Sequence, residues 1–299
     1  LPNGISTTAA SVTFTPTAPF EMTANFGAGF YVATTGGDDG DGSEDHPFVT
    51  ISNAIEKADA AIASGAKFVR INVADGTYPE NGLVVTNAIV IVGNASDRTA
   101  VKIGKTGARI FRLADAGAVL RNLTVTNGTV TAADISYAGG NVRVENGTVT
   151  NCVLTGGGNS SLTDDKGGNL YISAGSVVDC LMTSPLAGPG MYGANAYIAG
   201  GVVSRCIIEK APAKTGIWLA HGAGAYLTGG VIENCLVRDN HAGKGAIYLN
   251  EGAAKVVNCT IVGNYPDSGV DGGIGGVDVN DSSASVVNCV VYGNGGTAT

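Results

Sequence analysis

The stretch "VVNCTIVGN" at residues 256–264 returns near the end of the sequence as "VVNCVVYGN" at residues 286–294. An Asn-Cys pair therefore recurs after 30 residues with the same apolar neighbours. A cysteine at a repeated position can be a nucleophile, a metal ligand, half of a disulfide or a packing residue. Internal repeats of about 20 to 50 residues are typical of solenoids, propellers and arrays.

The repeat includes all six cysteines, which follow one another at intervals of 24 to 30 residues. An apolar residue lies three positions before each cysteine and another lies two positions after it. In the earlier copy "LRNLTVTN", Leu123 takes the place of the cysteine and Asn122 precedes it. A place shared with leucine predicts that the cysteines are small buried hydrophobic residues with free thiols. They are Cys152, Cys180, Cys206, Cys235, Cys259 and Cys289.

A second short strand precedes each cysteine strand, as in "NLYISAG" and "GAYLTGG". Apolar residues alternate in these segments, which is the pattern of a strand with one buried face. Two or three short strands per ~27 residues, with equivalent positions in register, predict a parallel β-helix. The Asn before most cysteines is expected at a bend, where it tolerates a left-handed backbone and bonds the backbone of the next coil, forming an asparagine ladder.

The other roles of the cysteines are less consistent with the sequence. A zinc site needs clustered ligands, and no two cysteines are closer than 24 residues. A nucleophile would need a base inside the coil. Disulfides between neighbouring coils remain open, although stacked Cβ atoms point in parallel directions and do not converge as a disulfide requires.

Composition limits the partners of the chain. Only 14% of the 299 residues are charged, 46 are glycines, and the net charge is −8. Short strands joined by glycine turns produce such a composition. An acidic surface offers no counter-charge to nucleic acid or to an anionic membrane. No apolar run approaches the ~18 residues that span a bilayer. We therefore expect no nucleic-acid partner and no membrane insertion.

The first third of the chain has a different pattern, "YVATTGGDDGDGSEDHPFVTISNAIEKADAA" followed by "INVADGTYPENGLVV". An Asp-Gly-Ser turn precedes a helix in which Thr50 is the expected N-cap and Gly65 the end. The segment resembles the entry of pectin lyase-like right-handed β-helix proteins. The later repeats resemble bacterial surface proteins related to autotransporter passengers and polymorphic outer-membrane proteins.

This resemblance predicts an all-β, right-handed parallel β-helix whose N-terminal helix caps the open end of the coil. Residues 1–28 are expected to be an extended Ser/Thr-rich leader. Residues 29–299 are expected to form one domain, with an entry segment at 29–80 and regular coils from about residue 81. The resemblance also implies a secreted or cell-surface location, often with glycans.

The family includes polysaccharide lyases and glycosidases, so activity has to be judged from motifs. A polygalacturonase-like enzyme carries N-T-D, D-D, G-H-G and R-I-K in order. This chain has only Asp164-Asp165 and His221-Gly222. The sequence therefore favours a non-catalytic protein that acts in adhesion or glycan binding, with an extracellular glycan or a host or cell-surface component as its partner. The alternative is a polysaccharide lyase or glycoside hydrolase acting on an extracellular polysaccharide.

Loops of variable length follow the cysteine strands, and solenoids commonly place binding surfaces on such an edge. The predicted carbohydrate-binding residues lie in these loops: Tyr192, Trp218, His221, Asp239, His241 and Tyr265. Trp218 has an alternative place in the core. Four further tyrosines are expected to stack on one sheet face, chiefly in a structural role: Tyr171, Tyr197, Tyr226 and Tyr248.

Two further expectations concern the ends of the domain. Asp38, Asp39 and Asp41 in the acidic turn are candidate Ca²⁺ ligands, the alternative being a solvated turn that favours the following helix. No other cofactor is expected. After Cys289 the sequence shows no amphipathic segment, and an uncovered coil exposes unpaired backbone groups. We therefore expect either further coils or self-association at this end.

Overall fold

The computed structural model describes residues 28–37, 39–130, 138–159, 166–186, 192–212, 221–266, 273–281 and 283–295. These residues form a parallel β-solenoid of about seven turns with one helix in the N-terminal region, as the sequence predicts. Each regular coil contributes one short strand to each of three parallel sheets, here named A, B and C. Trp218, the expected leader up to residue 27, and Asp38 lie outside the described residues.

Sheet A contains the strand that leads into each cysteine. Its ten strands are, in spatial order, Ala28–Gly37, Val69–Val73, Ile89–Val92, Val119–Arg121, Thr148–Thr150, Ser176–Val178, Val202–Ser204, Val231–Glu233, Lys255–Val257 and Ser285–Val287. Sheet B contains the strand that follows each cysteine. Its nine strands are Gly76–Tyr78, Val101–Ile103, Thr124–Thr126, Val153–Thr155, Leu181–Thr183, Ile207–Glu209, Leu236–Arg238, Thr260–Val262 and Val290–Tyr292.

Sheet C contains the strand at the start of each coil. Its eight strands are Leu83–Val85, Phe111–Leu113, Val142–Val144, Leu170–Ile172, Ala196–Ile198, Ala225–Leu227, Ile247–Leu249 and Val277–Val279. Two small parallel pairs extend the connections from sheet B to sheet C. They join Thr129–Val130 to Gly158–Asn159, and His241–Ala242 to Tyr265–Pro266.

The cysteines lie at the bend between sheets A and B and are free thiols. The first five are buried and Cys289 is partly exposed. Each backbone N–H in the ladder approaches the Sγ atom of the next coil, as from Cys152 to Cys180 at 3.4 Å. Leu123 occupies the same buried slot. The prediction that the slot is apolar and the thiols are free is confirmed.

The residue before each cysteine has a left-handed backbone, with φ between 49° and 58° from Asn122 to Asn288. The side chains stack as predicted, although they bond one another and not the next coil's backbone. Asn151 Nδ2 donates to Asn122 Oδ1 at 2.9 Å. In two successive coils, Asp179 and Arg205 replace the asparagine. There an ion pair of 2.8 Å takes the place of the hydrogen bond between asparagine side chains.

A second asparagine ladder runs through the interior, and the sequence pattern did not reveal it. Asn141, Asn169 and Asn195 precede strands of sheet C, whereas the remaining members follow strands of sheet B. Each Nδ2 group donates to the Oδ1 of the next residue, at 2.8 to 3.3 Å. The first five side chains are fully buried. The ladder consists of Asn141, Asn169, Asn195, Asn240, Asn264 and Asn294.

Helix α1 (Ile51–Ala63) packs its apolar face into the same core, at the end where the solenoid begins. Thr50 is the N-cap, as predicted, and its side chain accepts from the N–H of Asn53. The carboxylate of Glu80 accepts from the N–H groups of Ile51 and Ser52 at 2.8 and 2.9 Å. A negative charge at a helix N-terminus stabilises the helix. Glu80, just after the strand Gly76–Tyr78, therefore stabilises the start of helix α1.

Candidate functional site: the edge between sheets B and C

The connections from sheet B to sheet C form one edge of the solenoid, which we call the loop edge. Single residues of successive connections pair in parallel along it, each with the next coil. This ladder, called the bridge row, consists of Ala138, Lys166, Tyr192, His221, Lys244 and Ile274. Two of the predicted glycan-binding residues, Tyr192 and His221, are therefore neighbours, with ring centroids 5.6 Å apart.

The bridge row packs against the tyrosines on the outer face of sheet C. Two of its side chains contact the tyrosine of the next coil: Tyr192 meets Tyr226 at 5.0 Å and His221 meets Tyr248 at 5.0 Å. These contacts half-bury Tyr192 and His221 and fix the direction of both rings. Tyr192 and His221 therefore form a narrow, partly exposed aromatic surface, and Lys244 is exposed on the coil after His221.

The four sheet C tyrosines form the expected stack, with centroids 5.2 to 5.5 Å apart between successive rings. Tyr197, Tyr226 and Tyr248 are only 8%, 6% and 4% exposed. Rings this deeply covered cannot act as an open platform, so the structural role favoured from the sequence is the one the burial supports. Tyr171 ends the stack, half-buried beneath the Arg143 guanidinium at 4.7 Å from the ring centroid.

A second aromatic pair lies on the same edge, nearer to sheet B. His241 and Tyr265 are partners in the small parallel pair, and their rings lie 5.6 Å apart. Tyr265 is 48% exposed, so its ring is open to solvent. Lys244 of the bridge row lies only three positions after His241, a span of at most ~11 Å. The two aromatic pairs therefore belong to one surface.

A charged cluster continues this surface on the outer face of sheet B. The carboxylate of Glu209 is 6% exposed and accepts from Arg238 at 2.7 Å. Lys210 lies 3.3 Å from the other oxygen of Glu209. Asp239, a predicted site residue, lies 3.7 Å from Arg238, and its side chain is about half exposed. The buried carboxylate holds the guanidinium, which is 45% exposed, in a fixed position.

Glu209 is a site residue that the sequence pattern did not single out, although a signal was present. Glu209 and Arg238 follow the inward residues Ile208 and Val237, so both occupy the same outward row of adjacent coils. Opposite charges in register on neighbouring strands attract each other. Trp218, the remaining predicted residue of the loop edge, lies outside the described residues.

The environment of His221 favours the neutral form of its ring. Burial lowers the pKa of this imidazole, and the nearby Lys244 cation lowers it further, while Asp278 acts in the opposite direction. A neutral imidazole both donates and accepts hydrogen bonds. His221 can therefore contact a hydroxyl group of either polarity.

The acidic turn is less organised. Asp39 and Asp41 are exposed, and Asp41 Oδ1 accepts from the N–H of Ser43 at 2.9 Å. Hydrogen bonds from Ser43 lower the pKa of Asp41. Within the described part of the chain, no group of three or more Asp, Glu, His or Cys side chains comes together in a way that could hold a metal ion. Calcium binding here stays a prediction that involves Asp38 as well.

Comparison with known proteins places the fold. No protein-family model and no curated protein matches the sequence. Among solved structures, the Dettilon tailspike protein matches with a TM-score of 0.54 and 16% identity, over 88% of this chain and 50% of its own. Pectate lyase Pel9A matches with a TM-score of 0.51 and 12% identity, over 92% of this chain and 79% of its own.

The chain shares its parallel β-helix fold with these solved structures. Rice weevil pectin methyl esterase matches more weakly, with a TM-score of 0.46 and 12% identity over 91% of this chain and 90% of its own. The chain spans about half the length of the tailspike protein. Identities this low establish the fold and leave the activity to be argued from the site. No helix in the described ranges is long and apolar enough to cross a membrane.

Proposed function

We propose that this chain is a non-catalytic, secreted or cell-surface β-helix that binds an extracellular glycan along its loop edge. The observation that carries the proposal is the pairing of aromatic and charged side chains in successive coils of one surface. Rings with a polar tip, such as Tyr and His, cover an apolar sugar face and bond its hydroxyl groups. Loops on a rigid scaffold are the usual carriers of binding residues.

The scaffold restrains this surface before any ligand arrives. Tyr192 and His221 pack against buried tyrosines, and Arg238 is held by a buried carboxylate. Side chains that are already ordered lose little conformational entropy on binding, which favours affinity. Coils repeat at ~4.8 Å, so the edge offers similar contacts at regular steps to an elongated partner.

The alternative function is a polysaccharide lyase or glycoside hydrolase. It has one specific observation in its favour: two carboxylates, those of Glu209 and Asp239, lie near Arg238, at 2.7 and 3.7 Å. Glycoside hydrolysis commonly uses two carboxyl groups that flank the scissile bond. Here, however, the Glu209 carboxylate is nearly buried and already bonded to two cations, which leaves it poorly placed to reach a substrate.

A glycan array, run together with an assay for product release on each glycan that binds, tests both functions. We expect retention of at least one glycan without cleavage. His221→Ala and Tyr265→Ala should each weaken that binding fivefold or more. Phe68→Ala is the matched control, because Phe68 is an aromatic residue of similar exposure, 37%, outside the loop edge.

Two results would count against the proposal. Release of a shortened or unsaturated product, abolished by Glu209→Gln or Asp239→Asn, would establish the enzymatic alternative. Binding that is reduced by Phe68→Ala and unaffected by both loop-edge substitutions would place the glycan elsewhere.

A further inference from the structure

Four Asn-Gly pairs lie among the described residues, and their glycine N–H groups are not all bonded alike. A fifth pair, at residues 3–4, lies outside the described residues. In three of the four pairs the glycine N–H donates to an oxygen elsewhere in the chain. These bonds run from Gly82 to Arg109 O at 2.7 Å, from Gly128 to Asn141 Oδ1 at 2.9 Å and from Gly295 to Asn264 O at 2.7 Å.

The fourth pair, Asn146-Gly147, is arranged differently. The N–H of Gly147 donates to Oδ1 of Asn146 itself, at 3.0 Å, and it has no other acceptor among the described residues. Because a carbonyl oxygen lies ~1.23 Å from its carbon, the Gly147 nitrogen is at most ~4.2 Å from Cγ of Asn146. The nitrogen is therefore held beside the side-chain carbonyl with which it can close a succinimide ring.

The fold requires glycine at position 147. Gly147 lies directly before the sheet A strand Thr148–Thr150 and has a φ of 98°, which glycine adopts readily. A Cβ atom there would lie 2.6 Å from the carbonyl oxygen of Ala118. Of the positive-φ glycines at this place in four successive coils, only the first follows an asparagine. They are Gly147, Gly175, Gly201 and Gly230.

We propose that Asn146 is a site of spontaneous deamidation in the folded protein, with water as the co-reactant. The Gly147 nitrogen loses its proton to solvent and attacks Cγ of Asn146, which forms an N–Cγ bond. The Cγ–Nδ2 bond then breaks, and Nδ2 takes a proton from solvent and leaves as ammonia. Water opens the succinimide at either carbonyl. Cleavage of the N–Cγ bond gives aspartate, and cleavage of the original peptide bond gives isoaspartate, with no atom oxidised or reduced.

The other three pairs are protected by their hydrogen bonds. Each glycine nitrogen would have to give up its bond to a fixed oxygen before it could attack. The side chain of Asn81 is also restrained, because its Nδ2 group donates to Thr106 O at 3.0 Å. Solvent exposure alone would give a different order, since Gly82 is exposed and Gly147 is buried. Exposure therefore selects Asn81, whereas the position of the attacking nitrogen selects Asn146.

The isoaspartate product should disturb the turn from sheet C to sheet A. It lengthens the backbone by one carbon between two hydrogen bonds to the preceding coil. These run from Asn146 N to Leu113 O at 3.2 Å and from Thr148 N to Ala118 O at 2.9 Å. We therefore expect the isoaspartate form to unfold at a lower temperature. The inference is independent of the proposed glycan binding, because this turn is not part of the loop edge.

Storage of the 299-residue chain at mildly alkaline pH, followed by digestion in acid and peptide mass spectrometry, tests the proposal. We expect Asn146 to convert at least tenfold faster than Asn81, Asn127 or Asn294. The rate should rise with pH, because the deprotonated nitrogen attacks. Storage in urea is the control for the fold: in the unfolded chain the four pairs should convert at similar rates.

Asn146→Gln is the matched variant, since the longer side chain keeps the amide but must close a larger ring. The peptide that contains Gln at this position should keep its mass during storage, and circular dichroism should show an unchanged fold. Fastest conversion at Asn81 would overturn the proposal, because exposure would then control the reaction. So would equal rates for the four pairs in the folded chain, or an Asn146 that stays intact while the chain in urea is converted.

Discussion

Replacement of Asn169 by alanine should lower the free energy of unfolding by about 4 kcal/mol. The side chain is fully buried in the interior ladder and has four partners. Its Nδ2 group donates to Thr183 O at 3.0 Å and to Asn195 Oδ1 at 2.8 Å. Its Oδ1 atom accepts from Asn141 Nδ2 and from Gly157 N, both at 2.9 Å.

Alanine would leave all four partner atoms without this side chain, and three of them belong to buried residues. A hydrogen bond contributes roughly 1 kcal/mol net, and an unsatisfied buried group costs ~1–3 kcal/mol. Four bonds at the lower figure give the ~4 kcal/mol estimate. Urea unfolding followed by circular dichroism measures the difference. Asn280→Ala is the matched control, because Asn280 also bonds an asparagine of the adjacent coil, at 3.2 Å, but is exposed.

We expect the control to change stability by less than ~0.5 kcal/mol, as surface substitutions usually do. A loss below ~1 kcal/mol for Asn169→Ala would refute the reasoning, since less than one net hydrogen bond would then be involved. Equal losses for the two variants would show that burial does not control the strength of the ladder.

The remaining predictions concern the thiols, the tyrosine stack and the histidine. Alkylation and intact mass should show that only Cys289 reacts in the folded protein and that all six cysteines react after denaturation. An intact mass two hydrogens lower than that of the chain with six free thiols would indicate a disulfide. Cys259→Val should cost less than ~1.5 kcal/mol as a volume-conserving swap, whereas Cys259→Asp buries a charge and should prevent folding. Tyr226→Ala removes three ring contacts and should destabilise by roughly 3 kcal/mol, as buried aromatic truncations do. Because the folded pKa of His221 is lowered, its contribution to stability is present above the unfolded value and is lost as pH falls through the folded pKa. His221→Gln should remove that part of the acid sensitivity in thermal unfolding curves.

The repeat made the fold predictable because each coil meets the same packing requirement as the next. The period of the cysteines, the Leu123 slot and the alternation in the sheet C strands all depend on stacking in register. The N-cap at Thr50 was predictable because it depends on local residues. These features need no knowledge of distant contacts.

Features that join distant segments were not predictable. The interior asparagine ladder changes from the position before sheet C to the position after sheet B between Asn195 and Asn240. A search for one repeated position therefore finds only half of it. Glu80 caps helix α1 from 28 residues or more away, which no capping-box pattern describes.

The site was partly predictable. Variable loops pointed to the edge between sheets B and C, and the structure places Tyr192 beside His221 and His241 beside Tyr265 there. Alternation alone could not reveal how far the outward tyrosines of sheet C are covered, because the covering side chains come from the bridge row. The Glu209–Arg238 pair required the register between two coils.

The most direct test of the loop-edge account is hydrogen exchange of the protein with and without a glycan that the array identifies. The account predicts slower exchange in segments 192–195, 221–224 and 238–244, with no change in the turns that join sheet C to sheet A. Protection confined to those turns, or to the acidic turn at residues 39–46, would contradict it.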